Sequence, residues 1–208
     1  MEYKVSQDER KWTHINWTLD GVTADMLNWF WSNMEKGDNL WHPDQHHDFS
    51  WMPGYSVKEI GVLGSIHIAP QTWNDGRDLN IHIRCERIED TPEDLRACIK
   101  YDHAYIAAGI SMTGENVKPD DPSQGYRLHQ WQKSDNGVVG MSTGMTVEGN
   151  DTESGLIWAE HAVEEVGNWE VFLPDLHRLY KVITRKDINP YYSLRLEGLG
   201  AQARYADI

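Results

Sequence analysis

The stretch from Gly155 to Ile183 constrains this chain more than any other. Leu156, Ile157, Ala162, Val163, Val166, Trp169, Phe172 and Leu173 recur there at helical spacing, which predicts one long, mostly buried helix. His161 and Glu165 lie four apart, so their side chains sit one turn apart on the same face and can converge on one point. Advancing about 100° per residue puts Glu165 between Trp169 and Phe172 on the apolar arc, whereas Glu160 and Glu164 fall toward the polar side. A buried carboxylate needs a partner or it neutralises itself. The spacing is that of metal ligands, and equally that of an ordinary intrahelical pair.

The second informative stretch is Trp41-His42-Pro43-Asp44-Gln45-His46-His47. Pro43 fixes its own φ and pushes His42 to an extended conformation, which presents the imidazole from a restrained backbone. That places His42 ahead of His46 and His47 as a ligand. Before it, Thr23 offers an N-cap, and Met26, Leu27, Phe30, Trp31 and Met34 form one face of a helix ending at Lys36-Gly37-Asp38.

Period two takes over between Val62 and Ile68, and again between Leu79 and Cys85 after an Asn74-Asp75-Gly76 turn. Thr91-Pro92-Glu93-Asp94 opens a short helix reaching Lys100, and Ala104 to Met112 returns to strand. Tyr126 to Lys133, Asp135-Asn136-Gly137 and Val138 to Val147 read as a hairpin that carries His129 in step with Trp131. Residues 1–22 show no clean period. An antiparallel sheet wrapped around the long C-terminal helix is the economical α+β arrangement, because both apolar faces need the same partner. The length suits a single domain over residues 1–208.

Charge and composition narrow the function. With 33 acidic against 19 basic residues, the net charge of -14 disfavours nucleic acid and anionic membranes as partners. No apolar run is long enough to span a bilayer and the N-terminus has no apolar core, so a soluble, cytoplasmic protein is expected. Two cysteines, Cys85 and Cys98, are too few for a disulfide framework. Ten Trp and nine Tyr suit walls that both pack and bind aromatic ligands, and suit a Trp-rich core equally. A homodimer is left open.

Trp41-His42-Pro43-Asp44-Gln45-His46, preceded by Met26-Leu27-Asn28-Trp29-Phe30-Trp31, resembles the "WHPxxH" segment of the diacetylphloroglucinol hydrolase and phloretin hydrolase family. The run from His161-Ala162-Val163-Glu164-Glu165 to Phe172-Leu173-Pro174 resembles its "HxxEE…FLP" helix. Leu128-His129-Gln130-Trp131, with Gly137 after it, resembles its central histidine strand. The likeness covers residues 20–183 and leaves 184–208 as an unassigned tail. It implies a Bet v 1-like helix-grip fold and a zinc-dependent hydrolysis of the carbon–carbon bond between a phenolic ring and an acyl group. His42, His161 and Glu165 are then metal ligands, Gln45 stands at the substrate and His129 faces it; His129, Gln45 and His46 are the catalytic candidates.

Two departures bear on the chemistry. The family's further carboxylate ligand is missing from Ser65 to Pro70, where His67 is the best substitute and Glu59 and Glu86 are distant acids. Its carbonyl-binding tyrosines fall at Met34 and Gly144, so Tyr105 or Tyr126 would have to compensate. The expected cofactor is a divalent metal, zinc foremost, and the expected substrate a small aromatic or polyketide ketone. A cyclase or isomerase acting on a polyketide or terpenoid in the same pocket, and a non-catalytic hydrophobic-ligand binder, are the rival readings.

Overall fold

The computed structural model describes residues 1–146 and 152–206. The chain opens with strands β1 (Glu2–Gln7) and β2 (Thr13–Asp20), then passes through α1 (Ala24–Trp31) and the short α2 (Asp38–Trp41) into β3 (Ser50–Trp51) and α3 (Val57–Ile60). A hairpin of β4 (Ile66–Thr72) and β5 (Asp78–Cys85) is followed by α4 (Glu93–Arg96) and β6 (His103–Ser111). A second hairpin, β7 (Gly125–Lys133) and β8 (Gly137–Thr146), precedes α5 (Thr152–Tyr180), and a small ribbon of β9 (Leu196–Glu197) and β10 (Arg204–Tyr205) follows. The expected end of the second hairpin strand, Val147, lies outside the described residues.

Strands β1 to β8 make one antiparallel sheet in the order β1-β2-β8-β7-β6-β5-β4-β3. Strand β2 had not been expected. Its signal is nonetheless a plain alternation, with Thr13, Ile15, Trp17 and Leu19 buried and Asn16, Thr18 and Asp20 exposed. The exposed edge strand β1, with only Val5 and Gln7 half-buried, hides that period from a reading of the first 22 residues taken together.

Thr23 caps α1 as expected, its Oγ1 accepting from the Met26 N–H at 3.2 Å. The helix stops at Trp31, short of Lys36, because Ser32 and Asn33 donate from their side chains to the carbonyls of Asn28 (2.9 Å) and Trp29 (2.8 Å). The freed backbone tightens into a 3-10 turn at Met34–Lys36 and restarts as α2.

The architecture is α+β, an eight-stranded antiparallel sheet with a long helix packed on it. The expected sheet wrapped around the helix, the Bet v 1-like helix-grip, is corrected by the packing. Helix α5 lies chiefly on β2, with lesser contact to β8 and β1, and α1 and α2 cover its other flank. The reason is the aromatic content of that segment. Trp41 stacks on Trp169 at 5.2 Å, and Phe30 and Trp31 meet it edge-on at 5.7 and 5.5 Å. These rings fill the space beside the helix that a gripping sheet would occupy. A second, smaller core of Trp12, Ile88, Leu95, Ile99, Ile106 and Leu128 contains alternate residues of β6 and β7.

Candidate metal centre

Two segments far apart in sequence build the site. On α5, His161 and Glu165 are 4 % and 5 % exposed, while Glu160 and Glu164 face solvent. The second segment is pinned to α5 by Trp41, which stacks on Trp169 and whose carbonyl accepts from Asn168 Nδ2 at 2.9 Å. Just beyond it, the His42 carbonyl accepts the N–H groups of Gln45 (3.2 Å) and His46 (2.9 Å). That single turn brings His46 against α5.

His46, His161 and Glu165 form a buried cluster that could hold a metal ion. His161 Nε2 lies 3.1 Å from Glu165 Oε1, His46 Nε2 lies 3.4 Å from the same oxygen, and the two Nε2 atoms are 3.5 Å apart. A tetrahedral ion with bonds of about 2.0 Å has ligand–ligand edges of about 3.3 Å, so the three separations match one face of its coordination shell.

Hydrogen bonds decide which atoms carry protons. The Trp73 indole can only donate, and it does so to Gln71 Oε1 at 2.7 Å. This orients the Gln71 amide so that its nitrogen donates to His46 Nε2 at 3.1 Å. In neutral His46 that nitrogen carries the lone pair and the ring proton sits on Nδ1, where it donates to the Asp38 carbonyl (3.1 Å) and faces the Asp38 carboxylate (3.2 Å). Likewise His161 Nδ1 donates to Gln45 Oε1 at 2.8 Å and frees its Nε2. With both imidazoles neutral, two lone pairs and a carboxylate oxygen converge on one another, and only the Gln71 amide donates among them. A second proton on His46, or a bound cation in place of the Gln71 hydrogen bond, resolves that repulsion, and the Asp38–His46 pair is the carboxylate–histidine arrangement that orients metal-bound histidines.

Of the residues expected as ligands, the structure brings together His161 and Glu165. His46, expected as a catalytic residue, takes the third place, and Gln45 supports His161 from behind. His42 stacks on His161 at 4.6 Å with its Nε2 3.6 Å from Glu164, outside the cluster. His67 faces the same cavity from β4 but stacks on Phe49 at 5.4 Å and also stays outside the set. Glu59 is taken up by Ser56 and Glu86 by Arg84. Asp38 and Gln71 were missed. Asp38 reads as a helix end, and Gln71 carries no periodic signal.

The centre lines a cavity of about 980 Å³. Trp31, Tyr105 and His129 form part of its wall, and the first two rings stack at 3.9 Å. Met34 and Gly144 line it too, whereas Tyr126 lies on a separate surface groove. A side chain cannot stand at Gly144, since a Cβ there would come within 2.5 Å of the Trp158 ring.

Burial opposes charge on His46, but Asp38 and Glu165 outweigh it and push its pKa up to about 10 when no other cation is present. Burial alone would raise Glu165; His161 and His46 outweigh it and hold the carboxylate below its usual range. Burial, aided by His161, pulls His42 down to about 4, and burial pulls His129 to about 4 and His67 to about 3. These last three bind protons more readily unfolded, near pH 6.5, than folded, so stability falls as pH drops from 6.5 toward 4. His46 works in the opposite sense, its contribution complete below 6.5 and lost only toward pH 10. Urea unfolding of the chelator-treated protein should therefore show a midpoint clearly lower at pH 4.5 than at pH 7.5. Equal midpoints would mean that these imidazoles take up protons without unfolding.

No family model and no curated protein matches the chain. Solved structures match it in shape. Protein Ms6760 from Mycobacterium smegmatis is 13% identical over 83% of this chain and 97% of its own, with a TM-score of 0.56. A protein from Rhodobacter sphaeroides is 12% identical over 84% and 99%, with a TM-score of 0.53. Identities this low carry the fold alone. Among the described residues, no helix is long and apolar enough to cross a membrane.

Proposed function

We propose that this chain is a metal-dependent hydrolase that splits the bond between a phenolic or polyketide ring and its acyl carbon, adding hydroxyl to the acyl group and hydrogen to the ring. The observation that carries the reading is the convergence of His46 Nε2, His161 Nε2 and Glu165 Oε1 within 3.5 Å of one another at the wall of an aromatic cavity. A divalent ion held there, zinc foremost for two imidazoles and a carboxylate, supplies Lewis acidity and lowers the pKa of water toward about 7. The resemblance of the two ligand-bearing segments to the diacetylphloroglucinol hydrolase family supports the same chemistry.

The chain's own residues do the rest. Asp38 and Gln45 hold the two imidazoles in one tautomer, so the site is organised before substrate arrives. Trp31 and Tyr105 offer flat walls to an aromatic ring. Burial raises the Tyr105 phenol well above its ordinary value, which keeps it neutral, its hydroxyl paired with Cys85. Ser142 Oγ accepts from the Trp17 indole at 3.0 Å and lies 2.9 Å from His129 Nδ1, which fixes the plane of the imidazole. Burial keeps His129 a neutral imidazole, and in the tautomer whose Nδ1 accepts the Ser142 hydroxyl its Nε2–H is a donor suited to an oxygen that gains charge or to a ring carbon awaiting a proton.

Incubation of the zinc-loaded protein with a panel of acylphloroglucinols should release the free acid, and His129→Ala should slow release by about 10²- to 10⁴-fold. No acid from any panel member, with conversion of an unsaturated polyketide to an isomer of equal mass, would replace hydrolysis by cyclisation or isomerisation.

A further inference from the structure

Arg127 stands on β7 two residues from His129, on the same face of the sheet and at the same cavity. Its cross-strand neighbours are Ala107 on β6 and Gly144 on β8, the two smallest residue types, which leave its long side chain room to lie along the sheet. The guanidinium carbon sits 4.7 Å from the centre of the Trp158 ring, which fixes the plane of the group. Nη1 donates to the carbonyls of Tyr126 (2.9 Å) and Met145 (3.1 Å). Among the described residues Nε and Nη2 donate to nothing, and no carboxylate pairs with the group. Burial pulls its pKa down to about 10, and among the described residues the one acid that acts on it is Glu165, through space.

A guanidinium held this way is unusual in so acidic a chain, where 33 carboxylates are available to 19 bases. Among the described residues, the two carboxylates that share its cavity, Asp38 and Glu165, are both engaged by histidines. The uncommitted edge is Nε with Nη2, the side-on fork that meets the two oxygens of one carboxylate in parallel hydrogen bonds. Partial desolvation makes such a pair stronger than it would be at the surface. We propose that the substrate carries a carboxylate and that Arg127 binds it side-on, so that the cavity selects acidic aromatic or polyketide ketones over neutral ones. The substrate class rests on the hydrolase reading, whereas the carboxylate site stands on Arg127 alone and is tested apart from turnover.

The probes are para-acetylbenzoate and its neutral counterpart para-acetylbenzamide, titrated calorimetrically into the full chain with zinc and after metal stripping. The acid should bind about ten- to a hundredfold more tightly than the amide, the range of a charge-assisted hydrogen-bonded pair. The preference should persist without metal, so its presence there is independent of any hydrolytic activity. Arg127→Met should abolish the preference while leaving the amide's affinity in place. Arg127→Lys, which keeps the charge but not the fork, should retain a reduced preference and guards against a methionine variant that does not fold. Equal affinity for the two probes in the unaltered protein overturns the proposal, as does a preference that survives Arg127→Met with an unchanged circular dichroism spectrum.

Discussion

Glu165→Ala is expected to weaken zinc binding by roughly 10²- to 10³-fold, with His46→Ala and His161→Ala close behind. Structural zinc sites bind with about 10 to 16 kcal/mol, so one donor's share is about 3 to 4 kcal/mol. Glu165 should stand first because its Oε1 is the atom closest to both imidazole nitrogens, at 3.1 and 3.4 Å. Asp38→Asn should lose only about 10- to 100-fold, since it acts through His46. Competition against a chromophoric chelator measures the affinities, and elemental analysis of the unaltered protein should find one divalent ion per chain. A protein that takes up no stoichiometric metal would leave the three donors reconciled by a proton on His46, and the hydrolase reading would fall with it.

Trp169→Ala should destabilise the fold by about 3 to 5 kcal/mol, the range for removing a large aromatic from a core. The residue is fully buried and meets Trp17, Phe30, Trp31, Trp41 and His129 within 6.3 Å. It also stands one turn after Glu165, so losing it loosens Trp41 and the turn that carries His46. Trp169→Phe should be much milder, because the indole nitrogen has no hydrogen-bond partner among the described residues and its removal leaves nothing unpaired. Urea unfolding of both variants checks the pair. A loss below about 1 kcal/mol for the alanine variant would mean that the ring cluster does not hold α5 in place.

What the sequence made legible follows from how local each cause is. The α5 periodicity and the His161–Glu165 spacing are properties of one helix, and both were readable. The β7–β8 hairpin was readable because Asp135-Asn136-Gly137 sets its own turn. His46 was not, since its place depends on the His42 carbonyl accepting two backbone N–H groups and on Trp41 stacking against a helix encoded more than a hundred residues later. Pro43 does restrain His42, but into a stack on His161 rather than toward Glu165.

The placement of β2 beside β8 bears on how the molecule comes into being. Thr13 to Asp20 pair with Gly144 to Gly137, so the first hairpin has no sheet to join until the chain has been made as far as residue 144. Closing so large a loop makes folding slow and leaves the early strands waiting with open edges during synthesis. The long helix follows β8 in the chain and packs on β2, and that packing brings residues 161 and 165 to residue 46. The three donors thus meet near the end of assembly, and a nascent chain offers a passing cation no complete set to seize.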